Sequence, residues 1–331
     1  MGVTAGLDRF QRRHTWLGFP VAVVYKFIDD QGGYLAALIT YYGFLSLFPL
    51  MLLLVSVLGY TLEGDPAVQH ALLGSALQHF PIIGTQLQQN ISSIHGSRLG
   101  VILGILGALY GGLGVSVAIQ NAFDRVWAVP RYARPNLVVS RLRGLVLFVL
   151  FGAVILMTTA LSAVGPVADG LGYGIGTGVR ITAIALAVAL NVAVFVIGFG
   201  VLTVRDVGLA DLMPGAIGAA VAVQVLQTVG ALFLSHELTG VSQVYGVFGL
   251  VFGLLAWLYL QAVIVVFCAE INTVRARRLW PRNLLILFIQ DVALTPADRA
   301  SYRSYANTER YQSSQQVQPT FDHQPTPHDE P

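Results

Sequence analysis

The sequence is divided by six long, predominantly apolar stretches that contain no Asp, Glu, Lys or Arg: residues 31–62, 99–123, 144–168, 181–204, 212–236 and 238–269. Each has at least the roughly 20 residues that an apolar helix needs to cross the hydrocarbon core of a bilayer. Charged residues make up only 11% of the chain, whereas soluble domains contain about 25%. The stretches therefore exclude an ordinary soluble fold and indicate a membrane protein.

The fold class that follows is all-α, a polytopic bundle of six transmembrane helices with short interfacial amphipathic helices. Helices are expected because a spanning segment must satisfy its own backbone hydrogen bonds in lipid. We place spans 1 to 6 at residues 35–60, 99–121, 144–166, 181–204, 212–234 and 244–269.

The positions of the basic residues predict how the bundle is oriented. If the N-terminus is cytoplasmic, only Arg98 and Arg180 of the 19 Lys and Arg residues fall on the outer side. Both lie at the ends of predicted spans, where a guanidinium can reach the headgroups. Because cytoplasmic loops of membrane proteins are enriched in Lys and Arg, we expect both termini to be cytoplasmic.

Three regions are expected along the chain. Residues 1–34 form a cytoplasmic N-terminus, in which residues 20–30 are an interfacial helix with Pro20 in its first turn. Residues 35–270 form the transmembrane domain, and residues 271–331 a cytoplasmic segment that is disordered after about residue 295 because its composition is polar. The longest outer loop, residues 63–97, has an apolar stripe at helical spacing, and its role is left open.

Few polar groups lie at membrane depth, and these define a candidate cleft. We expect it to consist of the bend at Pro49 in span 1 and the side chains of Asn191, Gln224, Gln227 and Gln261 in spans 4 to 6. The simpler interpretations are a packing kink at Pro49 and ordinary hydrogen bonds between helices. Glu270, at the end of span 6, is expected to form a local ion pair with the nearby arginines of residues 275–278.

Small residues recur every four positions in two of the spans. Span 2 contains Gly100, Gly104 and Gly112, and span 6 contains Gly249 and Gly253. Such residues let helix backbones approach closely in lipid. They predict helix packing, and the partner helix can belong to the same chain or to a second copy.

Motifs of catalytic and cofactor sites are missing from the sequence. It contains no GxxxxGK, HExxH or GxSxG, its histidines lack metal-ligand spacing, and it has one cysteine, Cys268. We therefore expect no catalytic residue, no cofactor and no metal, and we do not expect an enzyme. The net charge of +2 also gives no support for a nucleic-acid partner.

Four stretches, in this order, resemble the YihY/BrkB family of bacterial inner-membrane proteins, formerly labelled ribonuclease BN. They are YYGFLSLFPL, NAFDRVWAV, DLMPGAIGAAVAV and VYGVFGLVFGLLAWLYLQAVIVVFCAEIN. The resemblance covers roughly residues 20–280. At position 124 the chain has Asp, where many members of the family have Asn. The resemblance implies a bacterial plasma-membrane location and six helices with cytoplasmic termini. It supplies no substrate, and members are often suspected of transport.

The leading functional hypothesis is an integral plasma-membrane protein that binds or transports a lipid or amphipathic solute through a cleft among spans 1 and 4 to 6. The alternative is a scaffold for envelope assembly that does not transport, with a second copy of the chain as one partner. A membrane-tethered ribonuclease is a distant third, because catalytic acids and metal ligands are missing.

Overall fold

The computed structural model describes residues 15–61, 98–147, 149–150, 177–203, 207–287 and 292–321. All regular secondary structure in these ranges is helical. The helices are α1 (Thr15–Asp29), α2 (Gly32–Thr61), α3 (Arg98–Val126), α4 (137–147), α5 (Thr177–Leu202), α6 (Leu209–Arg277) and α7 (Pro296–Thr308), with 3₁₀ turns at Arg131–Ala133 and Leu284–Leu287. The predicted outer loop 63–97 and most of predicted span 3 lie outside the described residues.

Three described segments are long and apolar enough to cross a membrane: Ile102–Val126, Leu209–Gly230 and Val251–Arg277. Shorter apolar helical segments are Gly32–Leu47 and Val188–Leu202. The prediction of an all-helical protein with membrane-spanning helices is therefore confirmed at this level.

The long helix α6 folds back on itself. Gly230 packs against the indole ring of Trp257, and Gly215 packs against the backbone carbonyl of Cys268. In a straight helix Gly230 and Trp257 would be about 40 Å apart, since the rise is about 1.5 Å per residue. The chain must therefore reverse between them, so that the two halves of α6 lie antiparallel.

Helices α2 and α3 pack tightly through glycines. A Cβ atom added to Gly107 would lie 2.6 Å from the Cβ of Pro49, and one added to Gly111 would lie 2.5 Å from the Cα of Ser46. Such distances are too short for a real side chain, so only glycine allows this separation of the backbones. The small-residue face of α3 that includes Gly107 and Gly111 is thus covered by α2 of the same chain.

Several helix ends meet at one end of the bundle. Lys26 of α1 donates a hydrogen bond to the Val126 carbonyl at the end of α3 (3.1 Å), and Arg125 lies 3.8 Å from Asp30. The last turns of α6 reach the same place, because Glu270 lies 3.5 Å from Lys26. We call this end, which holds Lys26, Arg125, Glu270 and Arg277, the charged end. Arg98 lies at the opposite end, because it begins α3.

The N-terminal helix differs from its prediction. It begins at Thr15, so Pro20 follows five helical residues and does not stand in the first turn. Ala22, Val23 and Lys26 are buried, and Ala22 and Val23 pack with Val274 of α6. The helix is held by this packing, which the amphipathic pattern alone did not reveal.

The C-terminal segment also differs, because Pro296–Thr308 is a helix where disorder was predicted. Thr295 and Asp298 form a capping box, in which each side chain accepts a hydrogen bond from the backbone N–H of the other residue. Ala297, Asp298 and Ser301 are buried against the rest of the protein. Capping and burial together compensate for the low hydrophobicity of this segment.

Candidate functional site

A cavity of about 380 Å³ lies among α2, α3, α4, α5 and α6. Its walls are mostly apolar, and they include Phe123 of α3 and Phe195, Phe199 and Leu202 of α5. The volume falls in the range of about 300–1,000 Å³ that is typical of small-molecule sites. The cavity is therefore suited to an apolar group.

Small residues leave the space for this cavity. Gly112, Gly144 and Gly198 all contribute to its lining. Beside it, α3 and α4 touch, since a Cβ on Gly144 would lie 2.7 Å from the Ser116 hydroxyl oxygen. The lining glycines add no side-chain volume, so the space between the larger apolar residues is left open.

Three residues of the lining have polar side chains: Ser46, Ser116 and Gln261. The hydroxyl of Ser116 accepts a hydrogen bond from the side-chain amide of Gln120 (3.1 Å), and the same amide donates to the Ser140 carbonyl (2.9 Å). Gln120 is buried and joins α3 to α4. The sequence analysis missed it, although a glutamine within predicted span 2 is a signal for such a contact.

The five residues of the predicted cleft are distributed more widely than expected. Gln261 lines the cavity, and Pro49 packs against Gly107 one turn away from Ser46. Gln227 is half-buried, whereas Asn191 and Gln224 are exposed on the surface of the bundle, and none of these three lines the cavity. The lining polar set is therefore Ser46, Ser116 and Gln261.

The predicted packing glycines take different positions. Gly112 lines the cavity, and Gly104 is buried in α3. Gly249 and Gly253 are half-buried in the second half of α6, and Gly100 belongs to the first turn of α3. The closest glycine contacts of α3 are instead those of Gly107 and Gly111 with α2.

A second cluster of polar residues is buried at the charged end. Lys26, Asp30 and Glu270 are all almost completely inaccessible to solvent. The Lys26 ammonium ion-pairs with the Asp30 carboxylate and, at 3.5 Å, with that of Glu270. It also lies 5.3 Å from the centre of the Tyr305 ring. Glu270 was expected to pair with the arginines of residues 275–278, and the structure corrects this to Lys26.

The electrostatics of this cluster reflect its burial. Burial raises the pKa of Asp30 above its usual range, and the nearby positive charges of Lys26 and Arg125 oppose that shift. The carboxylates of Asp30 and Glu270 share the buried Lys26 ammonium, and Asp30 is compensated by Arg125 as well. The cluster joins α1 to α3 and α6.

A third set of contacts attaches the C-terminal segment to α1. Arg282 is buried between the carboxylates of Asp29 (2.6 Å) and Asp298 (2.9 Å), and the Tyr305 hydroxyl donates to Asp29 (3.2 Å). Burial alone would lower the pKa of Arg282, but the attraction of Asp29 and the hydrogen bond to Asp298 raise it above its ordinary value. Arg282 therefore remains charged and links the two segments.

Two of the stretches that carry the family resemblance touch each other. The backbone N–H of Gly215, in DLMPGAIG, donates to the side-chain oxygen of Asn272, in CAEIN (2.7 Å). A third stretch, NAFDRVWAV, contributes Phe123, Val126 and Trp127 to the hydrophobic core that α2 to α6 share. These stretches thus build the packed region beside the charged end. In the described part of the chain, no group of three or more His, Cys, Asp or Glu residues could hold a metal ion.

Comparison with known proteins identifies a family for most of the chain. The sequence profile of the family described as Virulence factor BrkB matches residues 23–283, from α1 to the segment that follows α6. No curated protein and no solved structure gives a significant match. Because the matched range covers well over half of the chain, including the residues that line the cavity and the cluster of Lys26, Asp30 and Glu270, the chain belongs to the BrkB family.

Proposed function

We propose that the protein binds, and transports across or within the membrane, a lipid or amphipathic solute whose apolar part occupies the cavity among α2 to α6. The observation that carries the proposal is the cavity itself. It has about 380 Å³ of space between apolar walls, with the polar atoms of Ser46, Ser116 and Gln261 in its lining. An occupant with a hydrocarbon part and a hydrogen-bonding group fits this combination.

The proposal includes six membrane spans in a bacterial plasma membrane, with both termini at the cytoplasmic side. Support comes from the direction of the described helices. The aromatic rings of Phe123 and Phe199 lie 5.2 Å apart, so the ends of α3 and α5 meet, and Gly200 lies close to Leu212 at the start of α6. The ends of α3 and α5 and the start of α6 therefore lie on the same side of the bundle, at the charged end, as expected for an up-and-down bundle.

The positive-inside rule then assigns the charged end to the cytoplasm. Arg125, Arg131, Arg277, Arg282 and Arg310 belong to the segments that meet there. Reporter fusions test the orientation. A fluorescent protein fused to the C-terminus should be fluorescent and alkaline phosphatase fused there should be inactive, and the reverse pattern would contradict the assignment.

Lipid retention tests the cavity. We expect native mass spectrometry of the full chain, extracted gently from its own membrane, to show one bound lipid or solute per protein. Val223→Phe should remove this ligand, because Val223 lines the cavity and the larger ring would fill it. Val225→Phe is the matched control, because Val225 lies two residues away and is exposed.

The outcomes distinguish the functional classes. Loss of the ligand in Val223→Phe but not in Val225→Phe supports binding in the cavity. Equal retention in all three proteins contradicts it. A protein partner or a second copy in place of a ligand would favour the assembly function, in which the chain is a scaffold.

A further inference from the structure

A separate groove of about 860 Å³ lies at the C-terminal side of the protein. It is formed by the last turn of α6, by α7, by the tail that follows α7 and by Ala128 after α3, and it shares no residue with the cavity. Three arginines line it: Arg277, Arg303 and Arg310. The tail contributes residues 316–319 to the opposite wall.

No carboxylate of the described residues lines this groove. The carboxylate of Glu309, the residue that follows α7, forms ion pairs with Arg125 (3.9 Å) and Arg131 (3.1 Å). Asp29 and Asp298 are engaged by Arg282. The acidic groups that the structure describes beside the groove are therefore paired elsewhere, and the charged side chains in its lining are all arginines.

Neutral groups hold two of the arginines in position. Arg277 donates to the Ser304 hydroxyl (2.5 Å) and to the Trp127 carbonyl. Arg310 donates to the side chain of Asn307 (3.2 Å) and to the Ser313 carbonyl (2.6 Å), and it lies 5.2 Å from the centre of the Tyr132 ring. These contacts fix the guanidinium groups and leave the charge of Arg310 uncompensated by any acid in the described residues.

The third arginine, Arg303, is exposed and has no ion-pair partner in the part of the chain that the structure describes. Its guanidinium is therefore the one most available to a ligand. Planar guanidinium groups bind phosphate oxygens through paired, charge-assisted hydrogen bonds. Three of them around one groove, two already fixed by the protein, form an arrangement suited to a phosphate group.

The part of the groove that the tail contributes is also held in place. The ring of Phe321 packs on that of Tyr302 with their centres 6.3 Å apart, and the backbone N–H of Tyr311 donates to the side chain of Gln315 (2.9 Å). Amide side chains of Gln316 and Gln318 belong to the lining, and amides can donate further hydrogen bonds to phosphate oxygens. The groove thus combines fixed charge with neutral donors.

We propose that this groove binds a phosphate-bearing anion, either a soluble phosphate compound or the headgroup of an anionic phospholipid. Binding depends on Arg303, with Arg277 and Arg310 as preorganised partners. The proposal does not rest on the cavity, since the two sites have no lining residue in common. A failure of one would leave the other intact.

The test uses the full chain in nanodiscs of phosphatidylcholine, which carry no net charge, and pyrophosphate as the soluble probe. Equilibrium dialysis with labelled pyrophosphate measures its dissociation constant. We expect Arg303→Gln to weaken binding about tenfold, which is the loss of about one charge-assisted hydrogen bond. Arg303→Glu should abolish binding, because it reverses the charge.

Arg275→Gln is the control. Arg275 is exposed and lies in the same last turns of α6, but it does not line the groove. Its replacement removes the same charge without altering the lining of the groove and should change the affinity less than about twofold, since salt screens interactions between solvent-exposed charges. Equal effects of Arg275→Gln and Arg303→Gln would indicate non-specific attraction and overturn the proposal.

A second arm identifies the source of the phosphate. Nanodiscs of mixed phosphatidylglycerol and phosphatidylcholine are used, and the phosphatidylglycerol retained by the protein is counted by native mass spectrometry. Retention that Arg303→Glu removes, together with weak pyrophosphate binding, assigns the groove to a lipid headgroup. Tight pyrophosphate binding with unchanged lipid retention assigns it to a soluble compound. If Arg303→Glu alters neither quantity, the proposal is wrong.

Discussion

The ammonium of Lys26 in α1 and the carboxylate of Glu270 near the end of α6 lie 3.5 Å apart with both side chains fully buried. Asp30 is the other buried acid of the cluster. Pairs of this kind are costly to desolvate, and breaking one by removing a single partner costs about 3–5 kcal/mol. The contact ties the N-terminal helix to α6, which also lines the cavity.

We therefore expect Lys26→Met to lower the free energy of unfolding by about 3–5 kcal/mol, because two buried carboxylates lose the Lys26 ammonium. Thermal unfolding in detergent, followed by tryptophan fluorescence, measures the change. Lys26→Met/Glu270→Gln should recover part of the loss, since one uncompensated acid is removed. Wild-type stability in Lys26→Met would show that the pair contributes little.

The attachment of the C-terminal segment gives a second prediction. Arg282→Gln should release residues 292–321, because Asp29 and Asp298 then lose their common partner. Hydrogen exchange of α7 should become faster, while that of α2 and α3 stays unchanged. Arg278→Gln serves as the control, since Arg278 is exposed, and it should leave exchange in α7 unaltered. Unchanged protection of α7 in Arg282→Gln would contradict the role assigned to Arg282.

A third prediction concerns alkaline pH. Burial raises the pKa of Tyr305, and the carboxylates of Asp30 and Asp29 raise it further. Since the folded state holds this proton more tightly than the unfolded state, the stabilisation is fully present below the ordinary pKa of about 10 and is lost as pH rises above it.

The loss should approach about 1.4 kcal/mol per pH unit from this one group while the pH lies between the two pKa values. Tyr305→Phe cannot ionise, so its stability should fall less steeply above pH 10 than that of the wild type. The comparison uses slopes, because Tyr305→Phe also loses the hydrogen bond to Asp29 at every pH. Parallel slopes would exclude a raised pKa at Tyr305.

Much of this fold was predictable from the pattern of charge. The charge-free stretches predicted helices at the described parts of α2, α3, α5 and α6, and the reversal within α6 lies between Gly230 of predicted span 5 and Trp257 of predicted span 6. Helix α7 was also predictable, because Thr295 and Asp298 have capping-box spacing. The polar composition of the segment instead led to the prediction of disorder. Local patterns thus account for the helices.

The partners of buried side chains were not predictable in the same way. Nothing in the sequence around Glu270 points to Lys26, because the contact depends on how α1 packs on α6. The cavity likewise results from the separation of five helices. Ser46 and Ser116 line it, whereas the predicted residues Asn191 and Gln224 do not. Single-helix arguments identify polar residues but not the direction that each one faces in the bundle.

The glycine contact of α3 gives a fourth prediction. Gly111→Ala should destabilise the protein by about 1–3 kcal/mol, because its Cβ would collide with the backbone of Ser46 and overpacking has this cost. Gly43→Ala is the matched control in α2, where an added Cβ meets nothing within 4 Å. It should be neutral or stabilising, since alanine favours a helix by up to about 1 kcal/mol over glycine. Equal effects of the two substitutions would refute close packing of α2 on α3.

The most direct test of the central claim is photo-crosslinking with a phosphatidylglycerol whose acyl chain carries a diazirine. Labelled peptides should include the cavity-lining residues Phe195 and Phe199, and Val223→Phe should remove this label while Val225→Phe should not. Labels confined to exposed residues such as Leu186 and Val225, with no change in Val223→Phe, would show that lipid surrounds the bundle without entering it, and would contradict the account.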